Sequence, residues 1–153
     1  MIDENVQHVG TLCIQVFDEN GKLKEEREVN NLITNLGLAH IASRLKDATS
    51  AVMSHMAIGT GTTAAAVTQT TLVTEAGRVA YDSSALVTTN VANDSIQYTA
   101  TFPSGTGTGA ITEAGLFNAS GANAGTMFSR TVFGVVTKQA TDSLVITWKI
   151  ANV

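Results

Sequence analysis

Charge, aromatic rings, sulfur and long apolar runs are all scarce in this 153-residue chain, and each scarcity closes a class of function. Asp, Glu, Lys and Arg together make up 14% of it, well below the roughly 25% of an average soluble domain. The nine basic residues are scattered and the net charge is −4, so no cation cluster exists to displace counterions from a nucleic acid. A single cysteine, Cys13, leaves no internal disulfide to form, and an oxidising compartment is not required. Its place between Leu12 and Ile14 in a strand-like run predicts a buried, inert thiol. Aromatic residues are only 5%, and Phe102, Phe117, Phe133 and Trp148 fall at strand positions that read as core, which leaves few platforms for stacking a sugar. No apolar run approaches the ~20 residues of a membrane-spanning helix. Met1-Ile-Asp-Glu4 also places acid where a secretory signal carries its basic region, so no membrane and a cytoplasmic site of synthesis are expected.

What is present is threonine, glycine and short apolar segments. A hydrophobic fraction of 44% is enough for one ordinary core, and a chain of this length buries about 70% of its unfolded surface without a metal or disulfide staple. One domain over residues 1–153 is expected, with residues 1–8 as either an extended N-terminal arm or a frayed terminus. Threonine suits an exposed sheet: its methyl packs on the pleat, its hydroxyl stays hydrated, and branching at Cβ favours extended backbone. A surface covered this way repels its neighbours weakly, which suits a protein that sits against other copies.

Two strand-like runs, Val9 to Phe17 and Lys22 to Val29, flank Asp18-Glu-Asn-Gly21, a strong hairpin signal. The second arm is nearly all charge and should be an edge strand. Thr34 or Asn35 can cap a helix with apolar positions Leu38, Ile41, Ala42 and Leu45, and with Arg44 and Lys46 in its last turn against the negative end of the dipole. The remaining segments read as strands: Met53–Ile58, Arg78–Val87, Ser95–Phe102, Ala110–Phe117, Met127–Phe133 and Ser143–Ile150. Alternation is clearest in Ile96, Tyr98, Ala100, Phe102 and in Leu144, Ile146, Trp148, Ile150. The fold class expected is mainly β: an antiparallel sandwich, jelly-roll-like, with an N-terminal hairpin and one short α-helix.

Chemical motifs are weak throughout. The loops Gly59-Thr-Gly-Thr-Thr63 and Gly105-Thr-Gly-Thr-Gly109 have neither the GxxxxGK[ST] order nor GxGxxG before a helix, so their glycines serve positive φ or close backbone approach. His8, His40 and His55 lack the spacing of metal ligands, and no GxSxG places a nucleophile. No catalytic residue, cofactor or metal is assigned. The informative acids are structural. Glu75 precedes Arg78 by three residues, and Glu113 sits among small and apolar neighbours where a bare carboxylate is costly. Glu113 is therefore expected to accept amide hydrogen bonds from a glycine loop, or to pair with Arg78 or Arg130, in a network of Glu75, Arg78, Glu113 and Arg130 that pins loops to the sandwich.

Seven phrases occur in order: Val29-Asn-Asn-Leu-Ile33, Gly37-Leu-Ala-His-Ile-Ala42, Met56-Ala-Ile-Gly-Thr-Gly61, Thr71-Leu-Val-Thr-Glu-Ala-Gly-Arg78, Ile111-Thr-Glu-Ala-Gly-Leu-Phe117, Phe128-Ser-Arg-Thr-Val-Phe133 and Ser143-Leu-Val-Ile-Thr-Trp148. Together they resemble small virion structural proteins of tailed bacteriophages, the capsid cement or decoration and tail-fibre or collar group. The resemblance implies a β-sandwich assembly component made in the host cytoplasm, often trimeric, with no catalytic residues and no cofactor. Between the two roles, the lack of repeats or coiled coils favours a cement protein on the capsid surface, bound across subunits of the phage major capsid protein. The alternative is a tail-associated fibre or collar module, structural or receptor-binding.

Overall fold

The computed structural model describes residues 5–153 and contains ten strands and one helix. In chain order these are β1 (His8–Phe17), β2 (Leu23–Asn30), β3 (Leu32–Ile33), α1 (Asn35–Lys46), β4 (His55–Gly59), β5 (Glu75–Ala80), β6 (Ser83–Val87), β7 (Ser95–Phe102), β8 (Gly109–Phe117), β9 (Met127–Lys138) and β10 (Ser143–Asn152). They form two five-stranded sheets, β2-β1-β10-β7-β6 and β3-β9-β8-β4-β5, in which every pairing is antiparallel. The sheets pack face to face, as the alternating segments require, and the class is the antiparallel sandwich with hairpin and helix expected from the sequence.

The hairpin turns at Gly21, whose φ of 79° is open to glycine at no steric cost. Charged β2 lies at the edge of the first sheet, where its unpaired side is protected from other strands. Central in the same sheet, β1 and β10 pair along their whole length, from His8 opposite Asn152 to Phe17 opposite Ser143. Backbone bonds between Gln7 and Val153 extend this pairing at one end. Gln7 and His8 of the expected arm are thus part of the sheet pairing, while residues 1–4 lie outside the described residues. Inward residues Leu12, Ile14, Ala100, Phe102, Ile146 and Trp148 of the first sheet meet Met56, Ile58, Ile111, Leu116 and Val136 of the second in one continuous core.

Four expectations need correction. The helix starts as foreseen, with Thr34 as cap accepting from the Gly37 amide, and Ile41 packs on the core as expected, but the rest of the inward face is not the expected one. Gly37 and His40 are buried, whereas Leu38 and Leu45 are exposed. A Cβ on Gly37 would run into the carbonyl oxygen of Phe128, so the helix presses on β9 through the one position with no side chain, and that contact sets its rotation. The segment Arg78–Val87 is two strands in different sheets, because the chain crosses from the second sheet to the first at Tyr81-Asp82, where Tyr81 N–H bonds Ser54 O and Asp82 N–H bonds Thr99 O. Cys13 is only half buried: it takes the outward phase of β1, opposite Thr147 and Glu28, while Leu12 and Ile14 take the core phase. Partial burial, with Glu26 and Glu28 nearby, pushes its thiol pKa up and keeps it a poor nucleophile. Finally β9 continues past Phe133 to Lys138, whose buried ammonium donates to the Pro103 carbonyl.

Thr34 also donates to the carbonyl oxygen of Met127 at 2.6 Å, which ties the cap to β9. Thr34→Ala is expected to cost about 1–2 kcal/mol in urea unfolding, with Thr34→Ser recovering most of it. Equal losses for the two variants would show that the hydroxyl is not the stabilising group.

Candidate functional site

Pairing places the four predicted network residues on a single surface. Glu75 and Glu113 flank Gly59 in adjoining strands, while Arg78 lies opposite Ala57, which in turn lies opposite Gly115, itself paired with Arg130. All four therefore point away from the central core, on the outer face of the second sheet. That face is roofed by the 60–74 loop, whose Leu72 packs on Ala57, Phe117 and Met127 to form a second, smaller core.

Within this layer the residues form two separate pairs. Glu113 is fully buried and takes five hydrogen bonds: Gly61 N–H at 3.0 Å and Thr74 N–H at 2.7 Å on Oε1, and Val73 N–H at 3.0 Å with Arg130 Nε and Nη2 at 3.1 and 2.7 Å on Oε2. Arg130 spends its remaining arm on Thr63 O and Gln69 Oε1 of the same loop. Thr112 Oγ1 donates to Gly61 O at 2.9 Å. Burial pushes the Glu113 pKa up, but the Thr74 and Val73 amides, then Arg130 and the Gly61 amide, outweigh it and leave the carboxyl below its usual range. The second pair is bidentate, Arg78 Nε and Nη2 to the two oxygens of Glu75 at 2.9 and 2.8 Å. Arg78 Nη1 then holds Ala119 O and Ala124 O, and its guanidinium stacks 3.7 Å above the Phe117 ring. Arg78 does not reach Glu113; each acid has its own arginine.

The two glycine-threonine loops do different work here. Gly59 and Gly61 are required by close approach, since a Cβ at either would fall on Glu113 Oε1, at 2.6 and 2.5 Å. Gly105, Gly107 and Gly109 instead have φ of 80°, 64° and 134°.

The histidines are dispersed: His8 Nδ1 lies 2.6 Å from Asn152 Oδ1, His40 Nδ1 3.2 Å from Ser50 Oγ, and His55 Nδ1 2.8 Å from Ser54 Oγ. Among the described residues no three His, Cys, Asp or Glu side chains converge as a metal site would need, and no helix is long and apolar enough to cross a membrane. Sequence reasoning missed an open groove of about 670 Å³ between α1 and the inward face of β6 and β7. Ile41, Leu45, Met53, Leu86, Ile96 and Phe128 contribute to its lining. Leu45 and Leu86 are 83% and 64% exposed at its mouth, so this side of the molecule is apolar and wet. The signal for it was Leu45, an apolar helix residue assigned inward only because the glycine contact was invisible.

A buried carboxylate with its oxygens committed to five donors, and guanidiniums committed to loop carbonyls, is chemistry spent on holding loops still. Comparison with curated proteins and with solved structures gives no match. Comparison with protein-family models gives one over residues 26–129, more than half of the chain and spanning most of β2 through the start of β9, described as phage tail-collar fibre protein, N-terminal. The layer that Glu113 and Arg78 organise lies almost wholly inside that span, and the chain belongs to the phage tail-collar fibre protein N-terminal family.

Proposed function

We propose that this protein is a structural component of the phage tail, a rigid seating module through which a fibre is held at the collar, acting without turnover of its own. The observation that carries the reading is the family match over residues 26–129, and the pinned loops support it, since a mechanical joint needs surfaces that do not rearrange. Compactness had favoured the capsid surface. A family defined on the N-terminal part of a fibre protein removes that preference, because a compact domain is then as natural in the tail. Its partner, on this reading, is a tail protein; the major capsid protein and the trimer implied by the resemblance become outcomes to test.

Insertion of an epitope in the exposed turn Asp18-Glu-Asn-Gly21, followed by gold labelling of intact particles, tests location directly. Gold at the head–tail junction or tail, at a few to a few dozen sites, is the expected result. Label spread over the head in numbers comparable with the coat protein would overturn the proposal in favour of capsid cement.

A further inference from the structure

Two five-stranded sheets have four edges, and in this protein they are guarded very unequally. The β2 edge carries Lys24, Glu25, Glu26, Arg27 and Glu28. The β3 edge is two residues long, and β5 is broken by a bulge beside Glu75 and contains Gly77, so neither offers a long regular edge. The fourth edge, β6, reads Ser83-Ser-Ala-Leu-Val87: it has no charge, no proline and no glycine, and four of its five residues are exposed. On one side it pairs with β7; among the described residues nothing pairs with the other. An uncharged, regular, exposed edge presents unpaired amides and carbonyls and is the geometry that accepts another strand.

We propose that β6 is a self-association surface, on which a second copy of this chain adds its own β6 antiparallel about a two-fold axis at Ala85. The sequence is self-complementary in that register. Ser83 faces the partner's Val87, Ser84 faces Leu86, Ala85 faces Ala85, and the flanking Asp82 falls opposite Thr88, so no like charges meet. Ser84 and Leu86 share the face of Tyr98 and Ile96, so both copies of Leu86 lie on the same face of the joined sheet, one step apart on the diagonal. Two half-open grooves, each lined in part by Leu86, then meet at the axis. The contact is isologous and closes on itself at two copies. The β2 edge is already engaged, because Arg27 donates to the Gly134 and Val135 carbonyls of β9, which is why the second copy is assigned to β6.

Sedimentation of the full chain tests this with a charge swap. The wild type is expected to dimerise. Ala85→Lys places two ammonium groups opposite each other and should weaken association by at least about tenfold, as should Ala85→Glu with two carboxylates. An equimolar mixture of the two variants should associate again. Ala85 is exposed, so at concentrations where all three proteins are monomeric the variants should melt as the wild type does, and the β6 amides of the wild type should gain hydrogen-exchange protection as concentration rises. A wild type that stays monomeric at its highest soluble concentration overturns the proposal. So does an oligomer, trimer included, that ignores both substitutions, or a mixture that fails to re-form.

Discussion

Glu113→Ala is expected to destabilise the domain by about 3–5 kcal/mol, the usual penalty for removing one member of a buried ion pair. The loss is large because it strands more than the arginine. Three backbone amides, from Gly61, Val73 and Thr74, would lose their acceptor together, and Arg130 would stay buried with a positive charge and only carbonyl and amide oxygens beside it. Unfolding in urea, followed by circular dichroism, measures it. Glu113→Gln should fall between wild type and alanine, because it keeps one acceptor oxygen and the shape but loses the charge. A midpoint unchanged by the alanine substitution would falsify the pinning role. The pH dependence has a definite sign. The folded carboxyl titrates below its unfolded counterpart, so its stabilisation is complete above the unfolded glutamate range and is lost as pH falls through the folded pKa. Acid should therefore destabilise the wild type more steeply than Glu113→Gln, and identical slopes for the two would remove this carboxylate as the cause.

Trp148→Ala carries a comparable expectation, about 3–5 kcal/mol, for a different reason. Trp148 stands in the middle of β10 with its side chain fully buried, opposite Leu12 on one neighbouring strand and Tyr98 on the other. Truncation opens a cavity where both halves of the first sheet lean on the second, and closely packed neighbours on paired strands cannot collapse into it. The indole Nε1 has no hydrogen-bond partner among the described residues. Trp148→Phe should therefore cost much less than alanine, since it retains most of the ring while deleting a donor that burial has already stripped of water. Losses of equal size from the two would mean that the indole nitrogen, and not ring volume, is what matters. Against a typical total stability of about 5–15 kcal/mol, either alanine substitution alone could consume a large share.

The first sheet was legible in the sequence because each of its central strands buries one face. Leu144, Ile146, Trp148 and Ile150 alternate with hydrated neighbours, and the hairpin announces itself at Asn20-Gly21. The second sheet was harder to read. In β8, Ile111 through Phe117 are all buried, and a strand covered on both sides has no period to detect. Its outer cover, the 60–74 loop, is anchored by a carboxylate some forty residues further along the chain, a non-local event that no window of sequence contains. The acid itself was visible as an expensive group in apolar company, but its donors stay open in the sequence between loop amides, Arg78 and Arg130, and only the folded pairing assigns Arg78 to Glu75 instead. The helix face was misjudged because hydrophobic periodicity weighs side chains, whereas the contact that orients α1 depends on Gly37 having none.

Because β1 and β10 run side by side in opposite directions, the described chain enters and leaves the domain at one corner, where Gln7 and Val153 are bonded to each other. Load direction then matters more than load size. Tension that drew those two ends apart would meet the cross-strand bonds one rung at a time and peel them. Tension on both ends together, opposed by a grip elsewhere on the sandwich, would load the long central strands along their axes and strain many rungs at once, the geometry in which resistance to rupture is set by a high unfolding barrier.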